Sequence, residues 1–267
     1  MTEQRSGTDP VTLQLTCPAC GGQGAFATWN CIDGTRTPEL RQRLLHDENL
    51  FFYTCPQCGA KIHVETTCLY IDRERHFMVW HVPDPKTAVS LGDVYRYLGE
   101  ADFSAYRCRS ALTWGEWREK ILELESGFDD RMYEIIKYSA YQLLKPDQQK
   151  QLPLEMYHID YAKDDGNAAD LALVFMEEEK KGQGYVYAVT AKLLTMTQEL
   201  YLPLLQKVTP HAGEGKFERF SYAWAGSFMK YVLAAIQQPN QAEYRRLVTY
   251  WLETLGQEVF HADLTKK

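Results

Sequence analysis

One five-residue pattern, Cys-Pro-x-Cys-Gly, occurs twice in this chain and constrains it more than anything else in the sequence: Cys17-Pro18-Ala19-Cys20-Gly21 and Cys55-Pro56-Gln57-Cys58-Gly59. A Cys-x2-Cys turn points both thiols at one spot above the backbone. Proline fixes φ on entry, and glycine permits a positive φ on exit. Backbone N–H groups in such a turn can aim at the sulfurs and favour the thiolate. Two turns together offer four soft ligands in a tetrahedron, the donor set of structural Zn2+ sites. The predicted metal set is Cys17, Cys20, Cys55 and Cys58, with Zn2+ as the cofactor. Four thiolates close the coordination sphere, so the site reads as structural, and the nearby His63, His76 and His81 are not needed as ligands.

The competing chemistry is thiol–disulfide exchange, because Cys-Pro-x-Cys also serves oxidoreductases. Those motifs come singly, at a strand-to-helix junction. Here the motif is duplicated, and extended sequence follows each copy. Seven cysteines without a secretory leader in Met1 to Pro10 argue against a disulfide framework. Cys31 and Cys68 lie 11 and 10 residues beyond their respective turns, and Cys108 stands alone. All three read as small buried apolar residues, with a ligand or redox role left open for Cys31 and Cys68.

The 34 residues from Gly21 to Thr54 exceed the spacer of a compact ribbon, so a folded insert is expected between the turns. Thr37-Pro38 starts a short amphipathic helix with Leu40, Leu44 and Leu45 inward. Leu50 to Tyr53 reads as a strand entering the second turn. Beyond it, Ile62 to Tyr70 alternates apolar and polar residues, Asp72 to Arg75 turns, and His76 to Val82 returns with Met78, Trp80 and Val82 on one face.

These residues resemble the CpXC domain family of bacteria and archaea. The likeness rests on the paired turns, Thr37-Pro38-Glu39-Leu40-Arg41, Leu50-Phe51-Phe52-Tyr53-Thr54, Leu69-Tyr70-Ile71-Asp72 and Phe77-Met78-Val79-Trp80. Downstream, Trp117-Arg118-Glu119-Lys120-Ile121 and Gly127-Phe128-Asp129-Asp130-Arg131 fit the same family. It extends from Thr16 to about Lys137. The resemblance implies the four motif cysteines as a metal set; it transfers no catalytic residue and implies no known activity.

The double proline Val82-Pro83-Asp84-Pro85 ends the second strand and reads as a linker, dividing the chain into a zinc-ribbon-like region, 11–84, and a mainly helical region, 85–267. In the latter, Ser90 with Asp93 and Thr113 with Glu116 are capping boxes, and Gly127 stops the second helix. Asp129 caps a helix running to Pro146, and Asp129-Asp130 reads as an acidic first turn. Three strands follow, Tyr157 to Tyr161, Leu171 to Met176 and Tyr185 to Ala191, the last two joined by the charged loop Glu177 to Gly184. Helices at Met196 to Lys207, interrupted by Pro203, at Ser221 to Ile236, and one capped by Asn240 with Glu243 complete the chain. The last carries an apolar stripe of Tyr244, Leu247, Val248, Trp251, Leu252 and Leu255. His158, His211 and His261 have no partner pattern, and no catalytic constellation is read.

The fold class is therefore α+β: a zinc-ribbon-like N-terminal β unit with a helical insert, then a mainly helical part with a small antiparallel sheet. Net charge is −7, with 13 basic against 17 acidic residues up to Glu125 and 16 against 19 beyond it. That balance disfavours nucleic acid and anionic membranes as partners. No apolar run approaches the roughly 20 residues of a membrane span, and a soluble cytoplasmic protein is expected. The favoured function is a zinc-stabilised binding or assembly module, engaging a protein partner or itself. Thiol–disulfide oxidoreductase and single-stranded nucleic-acid binding are the alternatives.

Overall fold

The computed structural model describes residues 7–47, 49–99, 102–163, 170–176, 184–208 and 216–261. The protein is mixed α+β, and among the described residues it has ten strands and eight α-helices. Chain packing separates two compact units, Met1–Arg118 with Ala212–Glu218, and Glu119–His211 with Arg219–Lys267.

In the first unit, β1 (Asp9–Thr16) and β2 (Gln23–Asp33) form a long antiparallel hairpin. Helix α1 (Pro38–His46) follows, burying Leu40, Leu44 and Leu45 as the sequence predicts. Thr37 stands at its N-cap, but its hydroxyl donates to the Asp33 carbonyl at 2.7 Å rather than capping the helix. The strand before the second turn is shorter than expected: β3 (Phe52–Thr54) pairs with β4 (Lys61–His63). The alternating run after that turn is not one strand. It breaks after His63, and β5 (Cys68–Asp72) then pairs antiparallel with β6 (Phe77–His81). Two partners, one for each half of the run, explain the break.

Both β5 and β6 are buried along their whole length. One face carries Leu69, Ile71, Met78 and Trp80 into a core with Val94, Phe103, Tyr106 and the wholly buried Cys31 and Cys108. On the other face the Trp117 indole N–H donates to the Val79 carbonyl at 2.9 Å, and the Trp117 ring stacks on His81. Burial lowers the pKa of His81. Helix α2 (Leu91–Leu98) begins at the expected Ser90–Asp93 capping box.

The prolines at 83 and 85 do end β6, yet the chain beyond them re-enters the same sheet. Strand β7 (Arg107–Ala111), absent from the sequence reading, pairs parallel with β6, giving the five-stranded order β1-β2-β5-β6-β7. Its sequence, Arg-Cys-Arg-Ser-Ala, has no strand signature, and its place comes from pairing alone. The compact units divide at Arg118, within α3 (Trp114–Glu125).

The second unit contains α4 (Asp130–Leu143), the short α5 (Pro146–Gln151), and an antiparallel sheet of β8 (Tyr157–Tyr161), β9 (Leu171–Met176) and β10 (Gly184–Ala188), with β9 central. The predicted strands are there, though the last ends at Ala188; the loop 177–183 lies outside the described residues. Helix α6 (Ala191–Val208) starts earlier than expected and runs through Pro203, which removes only the bond to the Glu199 carbonyl. Helices α7 (Tyr222–Ala235) and α8 (Ala242–Phe260) follow. Gln241, not Asn240, is the α8 N-cap. The expected stripe is narrower than read: Val248, Trp251 and Leu255 are buried, whereas Leu247 is 50% exposed. Among the described residues no helix is long and apolar enough to cross a membrane.

Asp129 caps α4 and pairs with Arg131 at 2.6 Å, but Asp130 does more than complement the helix dipole. It belongs to a buried ionic ladder. Lys120 Nζ lies 2.5 Å from Glu123, 3.1 Å from Glu134 and 3.4 Å from Asp130. Lys137 Nζ donates to both oxygens of Glu119 at 2.6 and 2.7 Å, and Glu119 also accepts the Ile159 N–H at 2.5 Å. Burial alone would lower the Lys120 pKa, but Glu123, Glu134 and Asp130 reverse that and raise it. Removing one partner of a buried pair typically costs about 3–5 kcal/mol. Lys120→Met should therefore lower the unfolding free energy by about that amount, read from urea unfolding of the second unit.

Candidate metal centre

Each Cys-Pro-x-Cys-Gly motif occupies the tip of a hairpin. Residues 17–22 join β1 to β2, whose last pair is Thr16 with Gln23; residues 55–60 join β3 to β4, whose last pair is Thr54 with Lys61. The two tips share one hydrogen-bond pattern. Cys17 N–H donates to the Gly22 carbonyl and Gly21 N–H to the Cys17 carbonyl, both at 2.8 Å. Cys55 N–H to Ala60 and Gly59 N–H to Cys55 repeat it at 2.9 Å. Gly21 and Gly59 both adopt φ 72°, a backbone state that a side chain would strain, which is why glycine closes each motif.

Cys17 and Cys55, one from each tip, join a small buried cluster with Phe26, Tyr53 and Val64, flanked by Leu13, Leu15 and Ile62. Gln57 of the second tip lies against Gly22 of the first, where an added Cβ would fall 2.5 Å from the Gln57 side-chain oxygen. This packing brings all four predicted sulfurs together: every pair lies within 4.8 Å. Contacts run across the tips, Cys17 to Cys58 at 3.6 Å and Cys20 to Cys55 at 3.7 Å. Four sulfurs about 2.3 Å from a tetrahedral ion stand about 3.8 Å apart, so the arrangement is compatible with a single metal ion.

The environment is uneven. Cys17 and Cys55 are buried, while Cys20 and Cys58 face solvent. Backbone N–H groups of Gln57 and Cys58 donate to the Cys55 sulfur and pull its pKa down to about 6. For Cys20 the Gly22 N–H acts in the same sense, but the sulfurs of Cys58, Cys55 and Cys17 outweigh it and the pKa is pushed up to about 12. Four such thiols cannot all ionise together without a cation among them.

Among the described residues no histidine joins the cluster. His63 lies near Glu65, His76 makes the β5–β6 turn with φ 53°, and the Nδ1 of His81 is 2.7 Å from the Thr66 carbonyl. His158 is in β8 and His261 ends α8; His211 lies outside the described residues. Cys31, Cys68 and Cys108 are buried in β2, β5 and β7, outside the four-sulfur cluster. Burial raises the thiol pKa of Cys31 and Cys68, and pushes that of Cys108 up to about 11. Sequence reasoning places Tyr53 in a strand but misses that it packs into one buried cluster with Cys17 and Cys55.

Residues 15–137 match the family model described as CpXC protein. The match spans both hairpin tips, the five-stranded sheet from Leu15 onward, all of α3 and α4 as far as Lys137. No curated protein and no solved structure matches the chain. Residues 15–137 of this chain are thus similar to the CpXC family.

Proposed function

We propose that Cys17, Cys20, Cys55 and Cys58 hold one Zn2+ and that the protein is a zinc-stabilised binding and assembly module. The reading rests on the sulfur geometry: separations of 3.6 and 3.7 Å against about 3.8 Å for a tetrahedral zinc tetrathiolate. Zinc suits this donor set because its filled d shell imposes no other geometry. With four thiolates bound, no position remains for water or substrate, so the metal's work is mechanical. It clips two hairpin tips 38 residues apart into one zinc-ribbon-like unit. Hairpin β3–β4 has three residues per strand and little stability alone, so its order depends on the clip. Seven thiols without a disulfide suit a reducing compartment, the cytoplasm.

Metal analysis should find one zinc per chain, with four thiols masked until a chelator is added. Bound iron, or thiols that exchange with glutathione while the fold persists, would overturn the zinc assignment. Cys58→Ser should abolish stoichiometric zinc and the hydrogen-exchange protection of β3 and β4, leaving the buried β5 and β6 protected.

The thiol pKa values set a pH dependence. Near neutrality Cys55, at about 6, is already a thiolate, while Cys20, at about 12, must lose a proton to bind. Protons compete with the metal, so zinc affinity falls as pH falls. The slope steepens below about pH 6, where Cys55 also takes up a proton. Chelator competition between about pH 5 and pH 8 reads both effects.

For assembly, the supporting surface is β10, one of the two edges of its sheet among the described residues. It reads Gly184-Tyr185-Val186-Tyr187-Ala188 and carries no charge, proline or bulge, the usual guards of an exposed edge. Tyr185 is 46% and Val186 56% exposed, and a cleft of about 480 Å3 lies between the strand and the end of α8. On a chain of net charge −7, an uncharged edge is where a second copy meets least repulsion. Antiparallel pairing about a two-fold axis would join the two sheets. Light scattering should show a dimer, and Val186→Lys should shift it to monomer. A wild-type monomer at all concentrations would overturn self-association.

A further inference from the structure

The Tyr53 side chain has an unexplained feature. The residue is 4% exposed, and its hydroxyl oxygen is buried with no hydrogen-bond partner of ordinary geometry. An unpaired buried hydroxyl is costly, and phenylalanine would fill the same apolar space without that cost. The fold nevertheless makes room for it. The hydroxyl lies over Gly24 of β2, where a Cβ would fall 2.1 Å from the oxygen. The ring meets Phe26 edge-on, with centroids 6.4 Å apart and planes at 84°, which fixes its direction. Cys17 and Cys55 belong to the same buried cluster as the ring, and after burial itself the Cys55 sulfur is the main influence on the hydroxyl.

We infer that Tyr53 is a positioning residue of the metal centre, its hydroxyl donating to the Cys55 thiolate when the four sulfurs hold their ion. This rests on the metal reading above. A tetrathiolate around a divalent ion carries net negative charge, and around Cys55 it does so in a buried setting. The Gln57 and Cys58 N–H groups already donate to that sulfur. A phenol O–H is a further donor, and hydrogen bonds to an ionised acceptor are the strong kind. The donor withdraws charge from Cys55, orients its lone pairs and makes the sulfur a poorer nucleophile. Such outer partners commonly hold a ten- to hundredfold share of metal affinity.

Tyr53→Phe keeps the ring and removes only the donor. It should bind one zinc per chain about tenfold more weakly by chelator competition, and release it faster to an alkylating reagent. In the cobalt-substituted protein its sulfur-to-metal charge-transfer band should shift from the wild-type position, a change that ring packing alone does not produce. Equal affinity, equal release and superimposable cobalt spectra would overturn the role of Tyr53 while leaving the zinc reading intact. If wild type takes up no metal, the zinc reading fails and this proposal fails with it. A measurement on the cadmium-substituted wild type needs no variant. A slowly exchanging Tyr53 hydroxyl proton coupled to the metal supports the bond, and a freely exchanging, uncoupled one overturns it.

Discussion

Four sulfur atoms within 4.8 Å of one another are the constraint around which the N-terminal unit is arranged. They come from two hairpin tips that share a backbone hydrogen-bond pattern and a glycine at φ 72°. Neither tip can be displaced without separating the sulfurs, so everything that orients the hairpins serves the cluster. The apolar contacts of Phe26, Tyr53 and Val64 act in this way, as does the seat of Gln57 over Gly22. The local energetics are polarised. Backbone donors draw Cys55 toward the thiolate, while the crowding of sulfurs holds Cys20 as a thiol. A divalent cation is the natural resolution of that conflict.

Behind the tips, the five-stranded sheet has a different logic. Its central strands β5 and β6 are covered on both faces, and the connections on either side of them are parallel. A covered sheet of this kind supports hairpins whose own strands are too short to stand alone. The turn between β5 and β6 is organised by Asp72, which accepts the N–H groups of Glu74 and Arg75 and pairs with the Arg75 guanidinium at 2.8 Å.

The second unit is held by a contrasting device, charge placed inside. Lys120 and Lys137 lie among Glu119, Glu123, Asp130 and Glu134, all buried. Such a ladder is a weak source of net stability, yet removing one member leaves a buried charge uncompensated. The Asp129-Asp130 pair shows the limit of local reading. Asp129 does cap the helix as its position suggests, whereas the role of Asp130 comes from Lys120, ten residues away.

What the amino-acid order determines by itself is whatever depends on short-range geometry. The Cys-Pro-x-Cys-Gly turns, the α1 and α2 starts, the Gly127 stop and the three strands β8 to β10 are all legible, because proline, glycine, capping side chains and period-two alternation act within a few residues. The convergence of four sulfurs also follows from the repeat, since two turns of one chemistry imply one shared site. Tertiary structure alone decided the rest. The run after the second turn divides between two partners, β7 joins a sheet that its polar sequence does not announce, and α6 passes through Pro203. Tyr53 packs into one buried cluster with Cys17 and Cys55, and Leu247 leaves the buried stripe of α8. In each case the outcome depends on which distant surface is available for pairing or burial, and no local window of the sequence carries that information.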